Sequence, residues 1–252
     1  MFPYRDENET LRSPYITLLF IALNVLAWLL VQGAGAALPL ATSVCNLGLI
    51  PGELTGTLPP GTRFPLGQGL VCLTDPGLQI SHIFTSMFLH GSWMHLIGNM
   101  WFLWLFGNNV EDVMGRVRFV VFYLLCGLTA ALAQVMTNPA SVVPMVGASG
   151  AISGVMGGYL ALFPRVRVFC LLVLGFFVTS VALPAWMMLL YWIGIQVLSG
   201  LAGSRGEVGG VAFWAHIGGF VAGLILVRLF ANTEYLSAHR AASWRPRRLV
   251  GG

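Results

Sequence analysis

Long hydrophobic runs separated by short polar segments extend along most of the chain. A transmembrane helix needs about 20 mostly apolar residues. The runs that meet this length are Tyr15–Gly33, Trp93–Val110, Val117–Thr137, Pro184–Leu201 and Val211–Phe230. Nothing after the first run resembles a cleavage site, so we expect it to be a retained span and not a signal peptide.

A sixth run, Ser149–Phe163, is short for a span, because a helix of that length covers only about 22 Å. It can still serve if it starts below the membrane surface and other helices surround it. Gly150, Gly154 and Gly158 recur every four residues, which permits close contact between helix backbones. The pattern therefore predicts an all-α polytopic membrane protein, a bundle of six transmembrane helices.

Segment 166–183 is apolar enough to be a seventh span. The positive-inside rule distinguishes six spans from seven. With six spans and a cytoplasmic N-terminus, eleven of the thirteen Arg lie inside, and only Arg63 and Arg205 lie outside. A seventh span would move the C-terminal Arg outside. We therefore expect 166–183 to be re-entrant, interfacial or packed on the cytoplasmic side, with no conformation predicted.

Six spans divide the chain into a short cytoplasmic segment (1–14), a membrane domain (15–230) and an Arg-rich cytoplasmic tail (231–252). The membrane domain has a long outer loop at 36–82. This loop holds Cys45 and Cys72, both on the oxidising side, where a disulfide or two unpaired thiols are both compatible with the sequence.

Composition supports the membrane assignment. Only 9% of the residues are charged and 57% are apolar, whereas soluble domains carry about 25% charged residues. The formal net charge of +4 comes from Arg at the span ends. The positive charge therefore reflects the orientation of the spans in the membrane. We expect the protein surface to contact the lipid bilayer and no nucleic acid.

Three residues with side chains suited to catalysis lie at or near the starts of different spans. Ser149 opens span four, and His95 and His216 lie near the starts of spans two and six. All three spans start outside in the six-span topology, so these side chains share one depth. Asn99 is four residues after His95 and lies on the same helix face.

This set fits nucleophilic catalysis. A serine hydroxyl needs a base to accept its proton, and His216 can be that base. The unpaired N–H groups at a helix start can hold an oxyanion, and His95 and Asn99 can add hydrogen bonds to it. The spans contain no Asp or Glu to orient His216. We therefore expect a Ser–His dyad with no cofactor and no metal.

Other readings stay open from the residues alone. The motif Gly-x-Ser-Gly is often a tight turn, a lone His in a bundle is often a packing residue, and an Asn in a span often joins two helices. A transporter or channel would need charged residues along a pathway. A zinc protease would need two His four apart with a Glu between them, and an intramembrane aspartyl protease would need two Asp in spans; the sequence has neither pattern.

The motifs together resemble the rhomboid family of intramembrane serine proteases. The resemblance rests on four segments in the family's order, namely His90-Gly-Ser-Trp-Met-His95-Leu-Ile-Gly-Asn99, Gly107-Asn-Asn-Val-Glu-Asp-Val-Met-Gly115-Arg116, Gly147-Ala-Ser149-Gly150 and Ala215-His216-Ile-Gly-Gly219-Phe-Val-Ala-Gly223. It implies Ser149 as nucleophile, His216 as base, and His95, Asn99 and the Ser149 N–H as the oxyanion hole.

By the same resemblance, the substrates are single-pass membrane proteins cut near the outer face of the bilayer. We expect a multi-pass protein of a bacterial plasma membrane, with Pro184–Leu201 beside the substrate entry and Gly200–Gly210 as a cap over the site. Many members place an aromatic four residues after the nucleophile, against the base, whereas this chain has Ser153. A catalytically silent relative is the alternative, although such relatives usually lack the Ser or His.

Overall fold

A computed structural model describes residues 1–67, 69–175, 177–203 and 212–243. Its helices are α1 (Tyr15–Leu26), α2 (Ala37–Leu47), α3 (Pro51–Leu54), α4 (His82–Thr85), α5 (Trp93–Phe102), α6 (Asn108–Met114), α7 (Arg116–Thr137), α8 (Ser149–Leu162), α9 (Ala185–Gly203), α10 (Phe213–Phe230) and α11 (Thr233–Ser243). A π-helical turn, Ala27–Val31, extends α1, and a second, Leu103–Gly107, joins α5 to α6.

The fold is mostly helical, as expected. Within the described part of the chain, three helices are long and apolar enough to cross a membrane by themselves: α7, α9 and α10. Tyr15–Val31 and α8 are apolar but shorter, and the π-helical turn divides the second predicted span into α5 and α6. The six-span count therefore stays a prediction.

The expectation of an all-α fold is wrong in detail, because the described residues include five strands. These are β1 (Phe2–Asp6), β2 (Arg63–Gly67), β3 (Leu70–Leu73), β4 (Arg167–Leu174) and β5 (Phe177–Pro184). Segment 166–183, for which the sequence predicted no conformation, forms the antiparallel hairpin β4–β5, and β1 pairs with the other edge of β4. A continuous apolar run fits a helix or a strand equally well, so periodicity could not identify this hairpin.

The predicted outer loop is folded. It contains α2, α3 and the hairpin β2–β3. Cys45 and Cys72 form a disulfide with their Cα atoms 5.7 Å apart, which settles the alternative that the sequence left open. Ile50 and Phe64 pack with Cys72 in a small core of this region.

The short helix α8 lies at the centre of the bundle, and α7, α9 and α10 contact it. Its side chains from Ala151 to Tyr159 are buried, as expected for a short span enclosed by its neighbours. Glycines make the contact with α10 possible, because a β-carbon on Gly219 would overlap the Gly150 carbonyl oxygen, and one on Gly223 would overlap that of Gly154.

Two other glycines bring α7 into this contact. Gly158 of α8 lies between α7 and α10, because a β-carbon there would come within 3.1 Å of the Phe122 ring in α7 and within 3.5 Å of Val227 in α10. Gly218 of α10 lies against Ala133, also in α7. The three helices α7, α8 and α10 are thus packed together through small residues, which permits the close backbone approach expected of membrane helices.

Two carboxylates in the middle of α6 bind the segment before α1 and the first residues of α1. Glu111 accepts hydrogen bonds from the backbone N–H groups of Ile16 and Thr17, at 2.9 and 2.8 Å. Asp112 accepts from the backbone N–H of Arg12 at 2.9 Å and lies 2.6 Å from Nδ1 of His239. These two carboxylates therefore join α6 to the N-terminal segment and to α11.

The first strand is anchored under the central helix. Asp6 accepts a hydrogen bond of 2.6 Å from the Tyr159 hydroxyl of α8 and one of 3.1 Å from Nδ2 of Asn109. Burial raises the pKa of Asp6 to about 6, against the opposing effect of the hydrogen bond from Tyr159. Asn8 lies 2.8 Å from Nε2 of His239 in α11. The N-terminal segment, α8 and α11 therefore meet in one buried polar network.

Candidate active site

The structure places His95 in the first turn of α5. Ser92 caps this helix, with its hydroxyl oxygen accepting from the His95 backbone N–H at 3.1 Å. The ring Nδ1 accepts from the Gly91 backbone N–H at 3.3 Å. In the neutral ring the proton then lies on Nε2, so Nε2 is a hydrogen-bond donor.

Gly147 determines the backbone conformation just before α8. Its φ of 130° is a conformation that side chains other than glycine rarely adopt. Its N–H donates to the Ser86 carbonyl at 2.9 Å. A β-carbon at Gly147 would come within 2.8 Å of Nε2 of His95. The glycine therefore lets the His95 ring lie beside the start of α8, two residues before Ser149.

Ser149 and His216 lie in direct contact. Oγ of Ser149, the first residue of α8, is 2.8 Å from Nε2 of His216, in the first turn of α10. The glycine contacts between these two helices bring their first turns together. A serine hydroxyl at this distance can donate its proton to an unprotonated imidazole nitrogen.

Asn99 lies one helical turn below His95 and is only 7% exposed. Among the residues that the structure describes, its Nδ2 has no hydrogen-bond partner. Buried polar groups are nearly always paired, so an unpaired amide donor in a cavity calls for a ligand or a reacting group. Asn99 and Ser149 line the same cavity.

This cavity has a volume of about 700 Å³. Ser149, His95, His216 and Asn99 all contribute to its wall, together with other side chains of α5 and α9. The four residues predicted from sequence thus converge on one space that can hold part of a peptide chain.

Residues 77–233 match the family model described as the rhomboid domain. The chain belongs to the rhomboid family. Like other members, it is an integral membrane protein.

Three curated relatives show similarity over a comparable region. The chain is 31% identical over 166 residues to Rhomboid-like protease 5 of Toxoplasma gondii, covering 64% of this chain and 17% of the relative. It is 31% identical over 147 residues to the mitochondrial Rhomboid protein 1 of Saccharomyces cerevisiae, covering 57% and 40%. It is 30% identical over 158 residues to the chloroplastic Rhomboid-like protein 11 of Arabidopsis thaliana, covering 59% and 51%.

These alignments span about half of each relative or less. Two of the relatives are named for a mitochondrion and a chloroplast, so the comparisons do not support the expected bacterial plasma membrane. They support an integral membrane protein of the rhomboid family and no particular organelle.

One polar residue of this rhomboid site was missed by the sequence reasoning. Gln196 of α9 places its side-chain oxygen 2.8 Å from Nδ1 of His216. Trp192, one turn earlier on α9, lies with its ring 5.8 Å from the His216 ring at an angle of 38°. The spacing of four between Trp192 and Gln196 puts both on one helix face, and this was the signal available in the sequence.

Ser153, the departure from the family pattern, has a local role. Its hydroxyl donates to the Ser149 carbonyl of its own helix at 2.6 Å. The aromatic ring beside His216 comes from Trp192 of α9 instead. Of the expected cap, Gly200–Gly210, residues 204–210 lie outside the described part of the chain.

Proposed function

We propose that this rhomboid protein is an intramembrane serine endopeptidase that uses a Ser–His dyad. The observation that carries the proposal is the 2.8 Å contact between Oγ of Ser149 and Nε2 of His216. A hydroxyl becomes a competent nucleophile when a base at hydrogen-bond distance accepts its proton. The names of relatives such as Rhomboid-like protease 5 support the same class of activity.

The first half of the reaction forms an acyl-enzyme. Oγ of Ser149 attacks the carbonyl carbon of the scissile peptide while Nε2 of His216 takes the hydroxyl proton. The tetrahedral intermediate then collapses, the C–N bond breaks, and His216 returns the proton to the leaving amine. In the second half, His216 takes a proton from water, the hydroxide attacks the ester, and Ser149 leaves with the proton restored.

The developing oxyanion needs donors that are already in place. Ser149 is the first residue of α8, where backbone N–H groups have no partner within the helix. Nε2–H of His95 lies beside Gly147, and Nδ2–H of Asn99 lines the same cavity without a partner among the described residues. These donors cost no reorganisation when charge develops, which is why they lower the barrier.

The substrate proposed is a transmembrane segment of a single-pass membrane protein. The site lies where α5, α8 and α10 begin, which the six-span topology puts towards the outer face of the bilayer. The cavity, with walls from α5 and α9, would receive the peptide from the membrane side.

The test is cleavage of a generic transmembrane substrate by detergent-purified protein, together with labelling by a fluorophosphonate, which reacts with activated serines. We expect the wild type to cleave and to be labelled, and Ser149→Ala and His216→Ala to lose at least about ten-thousand-fold in kcat. Ser43→Ala is the matched control, because Ser43 is a buried serine in the outer loop whose hydroxyl donates to Leu40.

A wild type that is folded but neither cleaves nor reacts with the fluorophosphonate would indicate the alternative, a catalytically silent relative that binds membrane proteins. Cleavage that persists in Ser149→Ala would place the nucleophile elsewhere and exclude the dyad.

A further inference from the structure

The general base has a second hydrogen-bond partner on the nitrogen that does not face the serine. Nε2 of His216 contacts Ser149, and Nδ1 lies 2.8 Å from the side-chain oxygen of Gln196. An amide oxygen only accepts hydrogen bonds. The proton of the neutral imidazole must therefore lie on Nδ1, which leaves Nε2 free to take the proton of Ser149.

Without this partner both tautomers of His216 would be accessible, and the one with the proton on Nε2 cannot act as a base towards Ser149. In a triad an aspartate fixes the tautomer and holds the ring in place. The described spans contain no carboxylate near His216, and Gln196 occupies the position that such an orienting group would take. Trp192, which lies one turn before Gln196 on α9, also contacts the His216 ring.

We propose that Gln196 is the positioning residue of the base, so that the reactivity of Ser149 depends on α9 being packed against α10. The inference rests on the proposed function. Gln196 does not touch the reacting atoms, and it acts by selecting the productive tautomer and orientation of His216.

Because Gln196 lies on α9, the reactivity of Ser149 should depend on the position of this helix in particular. This helix carries few buried side chains, and its outward residues, such as Leu198, are exposed. It provides both the amide and the aromatic ring that contact His216. A displacement of α9 would therefore remove the Nδ1 partner while leaving the contact between α8 and α10 intact.

The experiment compares three substitutions of Gln196 in the full-length, detergent-purified protein. Gln196→Met keeps the length of the side chain and removes the acceptor. Gln196→Asn keeps the amide and is one carbon too short to reach Nδ1. Gln196→Glu retains an acceptor at the right distance and serves as the conservative rescue, and Leu198→Met is the control on the exposed face of α9.

The readouts are kcat, KM, the melting temperature and the second-order rate of fluorophosphonate labelling. We expect kcat and the labelling rate to fall together, by about tenfold, in Gln196→Met and Gln196→Asn, as for the loss of one hydrogen bond. KM should stay within about twofold, and Gln196→Glu and Leu198→Met should react near the wild-type rate. Labelling isolates the serine's activation, because the small probe does not require entry of a transmembrane segment.

The inference is overturned if either folded variant, Gln196→Met or Gln196→Asn, is labelled at the wild-type rate, whatever its melting temperature. In that case Gln196 only packs α9. Failure of the proposed function is distinguishable, because the wild type itself would then show no labelling that depends on Ser149.

Discussion

Gly223 of α10 lies against the backbone of α8 so closely that a β-carbon on it would overlap the carbonyl oxygen and Cα of Gly154. The neighbouring contact between Gly219 and Gly150 is of the same kind. Both pairs lie below Ser149 and His216 along the same two helices. The separation of the Ser149 and His216 side chains is therefore set by backbone contact between α8 and α10 and not by flexible side chains.

We predict that Gly223→Ala destabilises the protein and lowers its activity. The backbone of α8 cannot give way as a side chain could, and overpacking of a core costs about 1–3 kcal/mol. The matched control is Gly194→Ala in α9, where a β-carbon would meet nothing within 4 Å. Thermal unfolding in detergent measures the difference. Equal melting temperatures for the two variants would contradict the close contact between α8 and α10.

The long apolar helices and the residues of the candidate site could be predicted from sequence because each has a local signal. Long apolar runs mark α7 and α10, and the glycine spacing marks the contact face of α8. The hairpin of β4 and β5 carried no such signal, since its first strand is a continuous apolar run from Val168 to Leu174.

Polar contacts between residues far apart in the sequence could not be predicted either. Asn8 and His239 lie 231 positions apart in sequence, and no local pattern predicts their contact. Gln196 was overlooked because a glutamine in a span usually joins two helices. Only the structure shows that its partner is the ring of His216.

We predict that both termini lie on the cytoplasmic side, as the eleven-to-two distribution of Arg indicates. The network that joins Asn8 to His239 supports a common side for the two ends of the described chain. A reporter fused after Gly252, and a second one fused before Met1, should both score as cytoplasmic. Opposite scores would exclude an even number of spans and would remove the shared depth of Ser149, His95 and His216.

The pH dependence of stability should contain a contribution from Asp6. Its pKa is about 6 in the folded protein against 3.8 for the free group, because the carboxyl is buried. The folded state therefore binds this proton more tightly than the unfolded state. The resulting stability is fully present below about pH 4 and is lost as the pH rises through about 6, with a size of about 3 kcal/mol.

Asp6→Asn mimics the protonated carboxyl and should flatten this part of the pH profile. Its difference from the wild type isolates the contribution of the Asp6 carboxyl, because every other ionisable group is the same in both proteins. Glu234→Gln, which removes an exposed carboxylate in the first turn of α11, is the control and should leave the slope unchanged. Parallel profiles for the wild type and Asp6→Asn between pH 4 and 6 would show that Asp6 does not titrate as described.

Two buried asparagines offer a comparison between a catalytic and a structural amide. Nδ2 of Asn99 has no partner in the described chain and lines the cavity beside Ser149. Nδ2 of Asn24, in α1, donates to the Phe20 carbonyl at 2.7 Å. If Asn99 donates to the oxyanion, Asn99→Ala should lower kcat by roughly a hundred- to a thousand-fold. The loss will be smaller where His95 and the Ser149 N–H compensate.

The effect of Asn99→Ala should fall mainly on kcat, because the hydrogen bond strengthens only as negative charge develops on the substrate. Its melting temperature should change little, since the substitution breaks no internal hydrogen bond of Nδ2. Asn24→Ala should do the opposite, lowering the melting temperature while leaving kcat per folded molecule unchanged. Measuring both quantities on the same samples separates the two roles. A lowered melting temperature with an unchanged kcat in Asn99→Ala would make Asn99 a packing residue and remove it from the oxyanion hole.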